Sequence, residues 1–113
     1  MVTQLRPDLF VKKDDTRPHL DVALEDEEGF PMNLTGATIT FSMRDAATKV
    51  AKVTNSSCTV LDALRGEVRH SWTTSMTDTE GVFEGEFQVT DFESRVQTFP
   101  SSGFVVIVIV ESI

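Results

Sequence analysis

The side chains from which acid–base, thiol or metal chemistry could be built are few. They are His19 and His70, the single Cys58, and the carboxylates, which number 18. His19 follows Pro18 at the start of an alternating stretch and reads as a surface residue. His70 shares alternate positions with Val68 and Trp72, which makes it a core-edge histidine bonded to backbone rather than a poised general base. One cysteine excludes an intrachain disulfide and a cysteine-based zinc site. The run Glu25-Asp26-Glu27-Glu28 offers the clustered oxygens a hard cation needs, but not the alternating ligand spacing of a binding loop. It reads as a charged hairpin tip. Glu84 and Glu86 share one strand face like a glycosidase pair, yet that spacing is also the default of a solvated strand. No nucleophile elbow, phosphate-cradling glycine loop or histidine metal motif is present. The expectation is no catalytic residue, no cofactor and no metal.

Asn33-Leu34-Thr35 and Asn55-Ser56-Ser57 fit the glycosylation tripeptide. The N-terminal stretch has no apolar run before its charges, so no secretory signal is expected and both matches read as accidental. The chain of 113 residues carries 18 acidic and 10 basic side chains, a formal net charge of −8. Binding a polyanion needs clustered Lys and Arg, so nucleic acid is not an expected partner; nor is an anionic membrane surface. The apolar run Phe104–Val110 is far shorter than the ~20 residues of a membrane helix.

These side chains must be carried by strands, because the apolar period is two nearly everywhere. Ala37, Ile39, Phe41 and Met43 alternate with Thr38, Thr40, Ser42 and Arg44. Leu20, Val22 and Leu24 do the same, as do Val68, His70 and Trp72, and Phe83, Phe87 and Val89. Gly85 falls on the apolar face of its strand and leaves room for a large neighbour, for which Trp72 is the natural candidate. Weaker strands are read near 9–13, 49–53 and 58–62, with turns at Asp14-Asp15, Glu27-Glu28-Gly29, Asn55-Ser56-Ser57, Arg65-Gly66, Thr79-Glu80-Gly81 and Asp91–Ser94. Strands recurring about every ten residues predict an all-β, antiparallel, immunoglobulin-like β-sandwich of about seven or eight strands. It fills one domain, residues 1–113, with residues 1–8 as an N-terminal arm. The last strand is apolar on both faces: Phe104, Val106, Val108 and Val110 form one row, and Val105, Ile107 and Ile109 the other. Something must cover the outward row, either a segment of the same chain or a neighbouring subunit.

Four blocks of sequence carry a family likeness. The first is Asp26, Gly29, Pro31, Asn33-Leu34-Thr35-Gly36-Ala37, Ile39, Phe41, Met43 and Arg44. The second is Gly66, Val68, His70 and Trp72; the third Gly81, Phe83, Glu86, Phe87 and Val89; the fourth Thr98-Phe99-Pro100 with Gly103. In this order, over nearly the whole chain, they resemble the immunoglobulin-like domain at the N-terminus of tailed-phage baseplate upper proteins and the short virion proteins built from it. His70 departs from the aromatic more usual at its position. The family's C-terminal extension, with its oligomerising and receptor-binding parts, has no counterpart here.

The resemblance implies a non-enzymatic virion structural protein of the tail, baseplate or head–tail region, assembled in the bacterial host cytoplasm. It would act as an assembly or adaptor module. Its partners would be other phage virion proteins in a multi-copy symmetric assembly. The expected contact residues are Val105, Ile107 and Ile109, with Leu9 and Phe10 where the N-terminal arm joins the domain. The alternative is a carbohydrate-binding adsorption module that contacts host surface glycans. Eight Phe, one Trp and no Tyr make a poor sugar platform.

Overall fold

The computed structural model describes residues 8–113, so the expected N-terminal arm lies, apart from Asp8, outside the described residues. Nine strands follow in order: β1 (Leu9–Lys12), β2 (Leu20–Ala23), β3 (Thr38–Asp45), β4 (Ala51–Ser57), β5 (Thr59–Asp62), β6 (Glu67–His70), β7 (Gly81–Thr90), β8 (Val96–Phe99) and β9 (Val105–Val110). One 3-10 turn, Thr74–Met76, joins β6 to β7. The strands form where the period of two is cleanest. In β3, Ile39, Phe41 and Met43 are buried, and in β7, Phe83, Phe87 and Val89 are.

The larger sheet runs β1-β9-β7-β3-β4, with β8 pairing the second half of β7; the smaller runs β2-β6-β5. This is the strand order of an immunoglobulin-type sandwich, with β9-β7-β3-β4 in the places of strands G, F, C and C′, and β2-β6-β5 in those of B, E and D. Three features correct the sequence reading. The sandwich has a ninth strand, β8, where only a corner before the last strand was expected. The sheet is not wholly antiparallel, since β1 runs parallel to β9, Leu9 opposite Ile107 and Val11 opposite Ile109. And β4 continues through Asn55-Ser56-Ser57, which read as a break. Asn55 takes φ +50° at an irregularity in the ladder, and its N–H donates to Ser42 Oγ at 2.8 Å.

The two layers meet in one core. Phe41 of β3 lies 4.4 Å from His70 of β6 and 5.0 Å from Phe87 of β7, ring centroid to centroid, with Trp72 edge-on at 5.9 Å. Burying each of Phe41, Phe83 and Phe87 contributes roughly 1.5–3 kcal/mol. The neighbour that needs Gly85 is Phe41, not Trp72: a Cβ there would stand 2.7 Å from the Phe41 ring. Gly66 is fixed for two reasons. Its φ is +66°, and a Cβ would come within 2.4 Å of the Leu24 carbonyl oxygen. That contact seats the Glu25–Pro31 hairpin on the β5–β6 turn, where Leu24 N–H donates to the Gly66 carbonyl and Met32 N–H to that of Leu24.

Candidate interaction face

Register decides which row of β9 faces out. Ile107 lies opposite Phe83 and Ile109 opposite Gly81, so both point inward with the β7 core residues. They are 0% and 2% exposed. Val105 shares their row and packs against the core. The expected contact row is therefore the core row, and the expectation is corrected: Ile107 and Ile109 offer no side-chain surface to a partner. Leu9 also packs against the core, while Phe10 is 58% exposed. Of the residues singled out beforehand, only Phe10 presents its side chain on the outer face.

The outward row is Val106, Val108 and Val110, all half-buried. Cross-strand pairing sets Phe10 opposite Val108 on one side and Val82 opposite it on the other. Val82 is 48% exposed. The result is a continuous apolar band across β1, β9 and β7 on the outer face of the larger sheet. Val82 carried a signal that was passed over: it is apolar where the rest of the outward row of β7 is Glu84, Glu86, Gln88 and Thr90.

The band has a charged border. Glu84 Oε1 accepts from Arg44 Nε at 3.0 Å and from Lys49 Nζ at 3.1 Å. Arg44 sits opposite Glu84 in the β3–β7 ladder. Lys49 is delivered by the β3–β4 turn, in which the Asp45 carboxylate accepts from the N–H groups of Ala47 and Thr48 at 2.8 and 2.9 Å. The Arg44 guanidinium also lies over the Phe104 ring, 5.0 Å from its centroid, a cation–π contact. Partial burial raises the pKa of Glu84, but the bonds from Lys49 and Arg44 outweigh it and hold the carboxyl below its ordinary value. Glu84 is thus an ionised, paired anion, unsuited to donate a proton as a glycosidase acid must.

The other candidates for chemistry are equally committed. His70 is fully buried between the rings of Phe41 and Trp72, and neither ring nitrogen has a hydrogen-bond partner. The expected backbone bond is absent, and burial pushes its pKa down to about 4. Burial pushes the Cys58 thiol up to about 11, so it stays protonated. Asp26 caps the acidic hairpin, its carboxylate accepting from Glu28 and Phe30 N–H at 2.9 and 3.0 Å, the tip that was expected. Among the described residues no three of His, Cys, Asp and Glu gather as a metal site. The architecture is an immunoglobulin-like β-sandwich with an apolar band on the outer face of its larger sheet. No protein-family model and no curated protein matches the chain.

Proposed function

We propose that the protein is a non-enzymatic structural module of a tailed-phage virion, held among other virion proteins in several symmetry-related copies. The observation that carries the proposal is the Phe10–Val108–Val82 band, an apolar strip on a sheet face with a charged border, which is the make-up of a protein-contact patch. The likeness to phage baseplate domains supplies the particle. The residues that carry this likeness are fold-making ones. Asn33 Oδ1 accepts from the Thr35 N–H and hydroxyl, Gly36 takes φ +74°, and Phe99 is buried at the β8 end.

The test is mass spectrometry of purified particles from a host carrying the phage, which should contain the chain at a fixed copy number. Phe10→Asp with Val108→Asp should give a folded protein that no longer enters particles. Absence of the chain from particles, or normal incorporation of the double variant, would sink the proposal.

A second reading, glycan adsorption, has one observation in its favour. Phe30 and Phe92, 62% and 77% exposed, both project from the end of the sandwich where β2 leads to β3 and β7 to β8. Saturable binding on a glycan array that is lost with Phe30→Ala would move the function there.

A further inference from the structure

A second surface, independent of the virion reading, lies along the free edge of the smaller sheet. In the four-stranded immunoglobulin arrangement the B strand is flanked by A on one side and E on the other. Here β2, in the B position, pairs β6 only; no strand lies along its other edge among the described residues, and β1 pairs β9 instead. The backbone parity of that edge is fixed. Leu24 N–H donates to Gly66, and Val22 lies opposite Val68, so these residues turn their polar groups toward β6. Alternation then turns the N–H and C=O of Asp21 and Ala23 outward.

Beside this edge is an open cleft of about 330 Å³; its lining is apolar at Val22, Leu24, Phe87, Phe99 and Val105, polar at Gln97 and Ser101, and acidic at Glu25, Asp26 and Glu27. No residue of β5 or β6 lines it, so it opens on the unpaired side of β2. None of the three carboxylates has an ion-pair partner among the described residues. A ladder of outward backbone groups, an apolar lining in reach of alternate side chains and unpaired carboxylates ask for one kind of occupant.

We infer that the β2 edge is a strand-addition site. It takes an extended segment of a partner protein, apolar at alternate positions and carrying Lys or Arg toward the carboxylates. Main-chain bonds to Asp21 and Ala23 give the affinity, the cleft selects the inward side chains, and Glu25, Asp26 and Glu27 select the charge. A compact ligand would leave the backbone row unused.

The probe is an acetylated, amidated hexapeptide alternating valine and lysine, titrated into the full chain labelled with nitrogen-15. The amide signals of Asp21 and Ala23 should shift saturably. Methylating the peptide nitrogens on one edge should weaken binding by roughly tenfold, the worth of one or two backbone bonds. Ala23→Pro should abolish binding while leaving the β2–β6 ladder, since its N–H faces away from β6; Ala23→Ser should bind like the parent. Glu25→Gln with Glu27→Gln should weaken the lysine peptide several-fold at low salt. The inference is overturned if Asp21 and Ala23 do not respond at millimolar peptide, if methylation changes nothing, or if a valine–glutamate peptide binds equally well. It is overturned too if the parent chain self-associates and Ala23→Pro abolishes that association, because the edge would then belong to a second copy. Should Ala23→Pro fail to fold, the methylated peptide decides alone.

Discussion

The two rows of β9 share one ribbon and a β-branched aliphatic make-up, but not one fate. Ile107 and Ile109 close the core against Phe83 and Val11, while Val106, Val108 and Val110 lie in a half-exposed band with Phe10 and Val82. The inner row is held by the fold and the outer row is left half-exposed, though both are runs of branched aliphatics. What separates them is register, set by β7. The comparison breaks most visibly with a charge. Ile107→Asp buries an unpaired carboxylate among Phe83 and Gly85 and should cost more than about 4 kcal/mol, enough to leave the chain unfolded at room temperature by circular dichroism. Val108→Asp, one residue away, should stay folded with stability changed by about 1 kcal/mol or less in urea titration. Equal losses from the two would erase the distinction between the rows.

The next largest effect tests the interior against itself, apolar core against His70, the fully buried ionisable side chain among the described residues. His70 takes a proton at about 4 in the folded protein against 6.5 for a free imidazole, because burial penalises the cation. The unfolded chain therefore binds that proton first as the solution is acidified. Stability from this group is fully present above 6.5, falls as pH drops toward 4, and is constant below. The loss across that window is about 3 kcal/mol. Asp21, Asp45, Asp78 and Asp91 are held below their ordinary 3.8, so their losses come at lower pH. Denaturant titrations from pH 7.5 to 4.5 on the parent and on His70→Phe should differ in slope, the variant being nearly flat. A parent as flat as the variant would mean that His70 reaches water.

Much of this was legible beforehand, and the reasons for the rest are physical. Strands β3, β6 and β7 declare themselves because one face is core and the other is solvent, so Ile39, Phe41 and Met43 against Thr40, Ser42 and Arg44 admit one reading. The hairpin tips follow from Asp26, Asn33 and Asp91 bonding local backbone. β8 was missed because Val96 and Thr98 do not contrast with Gln97 strongly enough to mark a face; only pairing with β7 makes it a strand. The parity of β9 was unreadable because both rows are apolar, and the expected contact residues Val105, Ile107 and Ile109 fall on the row that faces the core. The parallel docking of β1 and the cleft beside β2 join residues some sixty or more apart in the chain, which no local pattern records.

The smallest effect tests how tightly the inner row is fitted. Gly85 faces the core directly beneath Phe41, and an added methyl would also stand 3.1 Å from Ile107 Cδ1. Its backbone needs no left-handed conformation, so alanine brings no strain of its own and gains a little through the unfolded chain. What opposes it is crowding. Phe41 is wedged between His70 and Phe87, so its ring has no free direction in which to retreat. Gly85→Ala should destabilise by about 1–3 kcal/mol, as overpacking does. Pairing it with Phe41→Leu should recover part of that, because the smaller side chain vacates the space the methyl needs; the two losses would then be less than additive in a double-mutant cycle. Full additivity would show that the methyl meets something other than the Phe41 ring.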